Sequence, residues 1–292
     1  MLNAVGREIP QEVLDETGKT VFQGTYQFDQ HEYTKAPVKA KTRIGGNGSK
    51  LEGSIQVVLQ KCNAHDGMTI SFHHHFREGD LVVMQVMNVI HELGYKDIAI
   101  CASFLSKAQD DLVPMIEDGT VTHIETSGVR GKIGEAISEG KLKGIAILRS
   151  HGGRVRAIET GETKIDIAFI GAPSCDEYGN CRGVGGNSNC GVLSYAAIDA
   201  EYAENVVILT DCIVPFPNFP ADISMTNVDY VIKVDTIGDA DKIATGAARP
   251  VTDMRKLMMA QSCADFIACT PAFQDGFSFQ TGIGGASIAT TH

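Results

Sequence analysis

From Leu51 onward, short apolar runs alternate with stretches whose apolar residues recur every three or four positions, and this rhythm constrains the fold more than anything else in the chain. Runs near 68–72, 98–102, 120–124, 144–148, 165–170, 206–210 and 228–234 have strand length. Between them lie helical patterns near 51–62, 81–93, 132–139, 153–160 and 193–203. The helix at 81–93 carries Val83, Val86, Met87, Ile90 and Leu93, with Asp80 placed to cap its start and Gly94 to end it. Such alternation predicts βαβ units, hence an α/β fold: a mainly parallel, open sheet flanked by helices. Gly- and Pro-rich stretches at 171–191 and 214–220 predict long surface loops.

Residues 1–50 are polar and broken by glycine, which predicts an irregular arm, and 51–245 then form the first α/β domain. Asp275–Thr281 echoes Asp66–Phe72, and each follows a helix-like stretch, 253–269 and 51–62. On this reading 246–292 open a second, similar domain, the run from Asp275 starts another strand, and the chain is truncated at His292.

With 36 acidic against 25 basic residues the net charge is −11, which argues against sequence-independent binding to nucleic acid. No apolar run approaches the roughly 20 residues that span a bilayer, and MLNAVGREIPQEV lacks a basic-then-apolar leader, so the cytoplasm is the expected location. The eight cysteines form no C-x-x-C pair and read as reduced thiols, some in the core.

Four segments carry chemistry. His73, His74, His75 and Arg77 lie where a strand passes into a helix, the edge at which parallel sheets bind ligands. Consecutive side chains diverge, which opposes a metal triad and leaves a ligand-lining loop or an exposed polar one. Arg149, His151, Arg154 and Arg156 surround Gly152 and Gly153 after another strand; they suit a polycarboxylate or diphosphate, or form surface ion pairs on a solvated turn. Gly171–Asn180 ends in Asp-Glu-Tyr-Gly-Asn, either a binding element or a structural turn around Gly179 and Asn180. The run Gly282, Ile283, Gly284, Gly285 offers backbone N–H groups to a developing oxyanion, or is simply a tight turn.

The order and spacing of Asp66–Asp80, Leu148–Glu159, Gly171–Gly183, Val214–Asp222 and Phe279–Ala289 resemble the α-subunit of citrate lyase, in the coenzyme A transferase superfamily. The resemblance implies two similar α/β domains and a transferase that moves an acyl carrier protein thioester from acetate to citrate. A citrate carboxylate attacks the acetyl thioester, giving a mixed anhydride and a thiolate; the thiolate then attacks the citryl carbonyl and acetate leaves. It further implies no cofactor bound by this chain, a dephospho-coenzyme A derived arm on the carrier partner, and a coenzyme A thioester as substitute donor. The implied partners are a carrier protein subunit, a citryl lyase subunit and further copies of the chain within a larger complex. The glutamate nucleophile of related transferases has no matching position, so no catalytic residue is assigned. Two rivals share the pattern: a transferase or hydrolase acting on free acetyl-coenzyme A, and a non-catalytic effector-binding or assembly domain. The resemblance also implies that residues 1–292 alone are inactive.

Overall fold

The structure is a computed structural model that describes residues 1–17, 20–21, 34–40, 48–243, 251–282 and 284–291. Residues 1–35 form a unit of their own, in which a Leu2–Glu8 bridge precedes a helix at Gln11–Thr17. All that follows concerns the second unit, 36–292.

Its strands are β1 (Leu51–Glu52), β2 (Thr69–Phe72), β3 (Ile98–Ala102), β4 (Val121–Thr126), β5 (Ala146–Leu148), β6 (Ile167–Gly171), β7 (Ser174–Cys175), β8 (Cys181–Arg182), β9 (Asn205–Thr210) and β10 (Tyr230–Lys233). Eight of them make one sheet in the order β1-β10-β9-β6-β2-β3-β4-β5, and every pair in it is parallel. β7 and β8 form a separate antiparallel hairpin. The expected parallel α/β architecture is therefore present.

The sheet is covered on both faces, and the pleat divides each central strand between two cores. Ile167 and Phe169 of β6, with Val207 and Leu209 of β9, belong to one cluster along with Ile70, Phe72, Val86 and Ile90. The intervening Ala168, Ile170, Val206 and Ile208 belong to the other, against Ile158, Ala196 and Ala200. Burial on both faces is why these strands read as unbroken apolar runs.

Helix ends follow the capping chemistry in the sequence, with local shifts. The helix Val82–Glu92 starts after Asp80, whose Oδ2 accepts the Val83 N–H at 3.2 Å, and ends before Gly94 at φ +81°. The expected helix over 51–62 is split: Leu51–Glu52 pair with β10, and the helix is Ile55–Lys61, because Ser54 caps Val57. The helix expected near 153–160 is His151–Glu159, since Ser150 accepts the Gly153 N–H at 3.0 Å. Segments Lys107–Leu112 and Val113–Glu117 are helical turns absent from the sequence pattern.

The region beyond 250 departs from expectation. The helix Met254–Ala268 forms, but no strand follows Asp275 among the described residues. A strand needs a neighbour for its backbone groups, and among the described residues all hydrogen bonds and ring contacts of 251–282 and 284–291 run within that segment. No helix among the described residues is long and apolar enough to cross a membrane.

Candidate functional site

The sheet order contains one topological switch. From β2 the chain moves outward to β3, β4 and β5; it then returns to place β6 on the other side of β2 and moves away through β9 and β10. The crevice outside the carboxyl ends of β2 and β6 is where such a sheet offers a binding site. β2 exits there into His73–His74–His75, and β6 ends there at Gly171. Phe76, 1% exposed, locks the two exits together: a Cβ on Gly171 would fall 2.3 Å from its ring.

The three histidines diverge, as consecutive residues leaving a strand must. His73 turns inward and donates from Nε2 to Asp199 Oδ2 at 3.1 Å, and its ring stacks on His75 at 5.2 Å. His75 keeps an unpartnered, sealed Nε2, and burial, followed by the neighbouring histidines, pushes its proton affinity well below the ordinary value. His74 turns toward the crevice, half-buried, with Nδ1 2.6 Å from Ser103 Oγ. Burial, then the charges of His151, His73, Arg77 and Arg154, lower its pKa to about 4. Its ring lies 5.8 Å from Phe104, 5.9 Å from His151 and 6.0 Å from Tyr195, and His151 and Tyr195 are 5.0 Å apart. These four rings line the mouth. Arg77 is exposed beside them at φ +50°, and among the described residues its guanidinium has no partner.

The arginine segment behaves differently from the anion site considered for it. Arg154 is fully buried and grips Asp199 through two bonds, Nη1–Oδ1 at 2.8 Å and Nη2–Oδ2 at 2.7 Å. Burial raises the Asp199 carboxyl, but Arg154 and His73 outweigh it and hold the group below the usual carboxylate range. Arg149 is committed to Glu125 at 2.7 Å and Glu162 at 2.8 Å, and Arg156 to Glu162 at 2.5 Å. Of that segment only His151 faces the mouth; a helix turns its residues through about 100° each, so neighbours cannot share one target.

Asn180 is a structural residue in this arrangement. Asp176, fully buried, accepts the N–H groups of Tyr178 and Asn180 and the Asn180 Nδ2 at 2.8 Å, while Asn180 Oδ1 accepts Met225 N–H. The Asp-Glu-Tyr-Gly-Asn stretch thus closes the hairpin β7–β8 with both ends of its amide occupied. Gly282, Gly284 and Gly285 have no hydrogen bond or ring contact with the histidine loop. Ile283 lies outside the described residues.

Sequence reasoning missed Ser103, Phe104, Tyr195 and Asp199. Ser103 and Phe104 do follow a strand, which is a usable signal; Tyr195 and Asp199 lie in a helix, Ser194–Tyr202, rich in small residues and without a marked apolar stripe. No group of three or more His, Cys, Asp or Glu among the described residues is arranged to hold a metal. A cavity of about 630 Å³ sits at the opposite, amino edge of the sheet; among its lining residues Lys39 pairs with Asp229, and Asp166 Oδ2 accepts the Thr69 N–H at 2.6 Å.

Known proteins are similar to this chain in sequence and fold. The sequence profile described as "Citrate lyase, alpha subunit" matches residues 48–292. The citrate lyase alpha chain of Escherichia coli K12 is 48% identical over 242 residues, which cover 83% of this chain and 48% of that one. A Streptococcus mutans structure described as an alpha subunit of citrate lyase in complex with citrate superposes with a TM-score of 0.84 at 45% identity, covering 99% of this chain and 56% of that chain. An acyl-CoA transferase from Escherichia coli O157:H7 shares the fold alone, with a TM-score of 0.54 at 16% identity over 80% of this chain and 56% of that chain. The chain spans about half the length of the curated relatives it matches. With the profile match extending from ahead of β1 to the last residue, this chain belongs to the citrate lyase alpha subunit family.

Proposed function

We propose that the chain acts as a citrate lyase α-subunit, transferring a carrier-protein thioester from acetate to citrate. The observation that supports this most directly is the Streptococcus mutans relative solved with citrate, which follows 99% of this chain. The crevice at the switch point suits the substrate. Citrate is a tricarboxylate, and Arg77, the His74 Nε2 edge, His151 and the Tyr195 hydroxyl present donors at its mouth without an acidic group among them. A guanidinium fork on a carboxylate contributes about 1.5–3 kcal/mol.

In this reading the thioester arm arrives on an acyl carrier protein and is not resident in the chain, a separate subunit cleaves the citryl thioester, and several copies assemble with both partners. Residues 51–245 form the first transferase-like domain and 246–292 begin a second, which supplies the opposite wall.

The test offers acetyl-coenzyme A as donor and citrate as acceptor and follows acetate and citryl-coenzyme A by chromatography. The chain is assayed alone and joined to the remaining half of the Escherichia coli relative. The joined protein is expected to turn over and residues 1–292 alone to show no turnover. Acetate release that ignores citrate would instead identify a thioester hydrolase. Failure of the joined protein with both coenzyme A and carrier-protein donors would end the transferase reading.

A further inference from the structure

We infer that Ser103 is a positioning residue for His74: its hydroxyl donates to Nδ1 and so fixes the imidazole in the tautomer that offers an Nε2–H to a carboxylate or thioester carbonyl oxygen in the crevice. The protons can be followed one at a time. Ser103 is fully buried where β3 ends, beyond reach of water. Its Oγ accepts the backbone N–H of His74 at 3.1 Å and lies 2.6 Å from His74 Nδ1. No other partner exists for this hydroxyl among the described residues. If Nδ1 carried the proton, the buried Ser103 O–H would be left with no acceptor, at a cost of about 1–3 kcal/mol. The arrangement in which every group is satisfied puts the hydroxyl proton on the Nδ1 lone pair, and a neutral imidazole then carries its single proton on Nε2.

The surroundings keep the ring neutral. His74 faces Phe104, Tyr195 and His151 across the mouth, with His73, Arg77 and Arg154 as its charged or titratable neighbours and no carboxylate in contact. Lowered to about 4, its pKa leaves it uncharged at neutral pH. Nε2 has no protein partner among the described residues and is not sealed from solvent, so its proton points at whatever occupies the crevice. A fixed neutral donor of this kind strengthens its bond as charge develops on a carbonyl oxygen, without reorganising. This role rests on the transferase reading, whereas the tautomer itself does not.

The experiment separates the two. Two-bond nitrogen–proton correlation spectra of the 15N-labelled 1–292 chain report the tautomer of each histidine. His74 is expected as a single Nε2–H form with a hydrogen-bonded Nδ1. Ser103→Ala should convert it to an exchanging mixture, and Ser103→Thr, which keeps the hydroxyl, should restore the single form. In the joined protein Ser103→Ala should lower citrate-dependent kcat by about five- to tenfold with little change in KM, the scale of one neutral hydrogen bond. Wild-type His74 protonated on Nδ1 overturns the inference without any variant having to fold. So does a tautomer ratio indifferent to Ser103→Ala. A correct tautomer in a protein that never transfers the thioester leaves the positioning intact and removes only its purpose.

Discussion

Arg154 and Asp199 face each other with no solvent on either side, so each is tolerable only because of the other. Removing one partner of a buried pair leaves a charge that water cannot reach, at about 3–5 kcal/mol. Asp199→Ala and Arg154→Met should each lower stability by that amount in urea titrations. Combining Arg154→Met with Asp199→Leu should cost much less than the sum, because neither charge then remains. Acid tests the same pair. The folded carboxyl lies below its ordinary range, so its contribution is complete above the unfolded value of about 3.9 and fades as pH falls through the folded one. His74 adds an earlier loss: lowered from 6.5 to about 4, it stays neutral in the fold while the unfolded chain takes up a proton, so stability declines as pH drops across that window. His74→Gln should flatten the decline between pH 7 and pH 5; an unchanged slope would contradict the buried, uncharged ring. The histidine loop was legible in the sequence because three imidazoles after a strand have few purposes. Asp199 was not, because nothing local says that it meets an arginine 45 residues earlier. The same blindness made Arg154 look like an anion-binding group when it is the partner of an anion already inside.

The helix Val82–Glu92 and the loop before it are held by two devices that can be tested separately. Asp80 is buried; its Oδ2 takes Gln109 Nε2 at 2.9 Å and the Val83 N–H at 3.2 Å, while its Oδ1 has no partner. Burial raises its pKa from 3.8 to about 6. A raised carboxyl contributes fully below the unfolded value and loses that contribution as pH rises through 6, so the charged form is a burden at neutral pH. Asp80→Asn keeps an acceptor for Val83 and should gain about 1–2 kcal/mol at pH 8 relative to pH 5. Asp80→Ala removes the same burden but also strips the cap, and should be about 1 kcal/mol less stable than Asp80→Asn at either pH. The second device is the contact of Phe76 with Gly171. Gly171→Ala would drive a methyl into that ring and into Val82, at 2.3 and 2.9 Å, and should cost about 1–3 kcal/mol and displace the histidine loop, which on the proposed citrate-binding role would weaken citrate binding. Equal citrate affinity in a destabilised Gly171→Ala protein would uncouple the loop from β6. Long elements such as β3 and this helix were readable because apolar spacing and caps agreed. The split of 51–62 and the two-residue strands β7 and β8 were not, since a strand that short carries no period and takes its identity from its neighbour.

At the scale of the whole molecule, the described residues beyond 250 share no hydrogen bond or ring contact with the sheet. The eight-stranded sheet and both its cores are complete by residue 243, and nearly every buried apolar residue precedes that point. By contrast, Met254, Met258, Met259 and Phe266 of the following helix are 68%, 65%, 63% and 74% exposed, and among the described residues the segment's hydrogen bonds are all its own. Its helical pattern was legible in the sequence, but what that apolar surface packs against was not, because the pattern marks a face and not its partner. Hydrophobic stabilisation scales with apolar area removed from water, so a segment this exposed adds little to the sheet's stability. A chain ending at residue 243 is therefore expected to unfold in urea within about 0.5 kcal/mol of the 1–292 chain, with nearly the same m-value, since the surface exposed on cooperative unfolding hardly changes. It should also be the more soluble of the two, having shed six exposed methionine and phenylalanine side chains. The histidine tautomers should be unaltered, because among the described residues the hydrogen bonds and ring contacts of the His73 and His74 side chains all lie within residues 73–199. A markedly lower midpoint with a smaller m-value would show that residues beyond 243 belong to the folding unit of the sheet, and the division of the chain into a first domain and the beginning of a second would have to be redrawn.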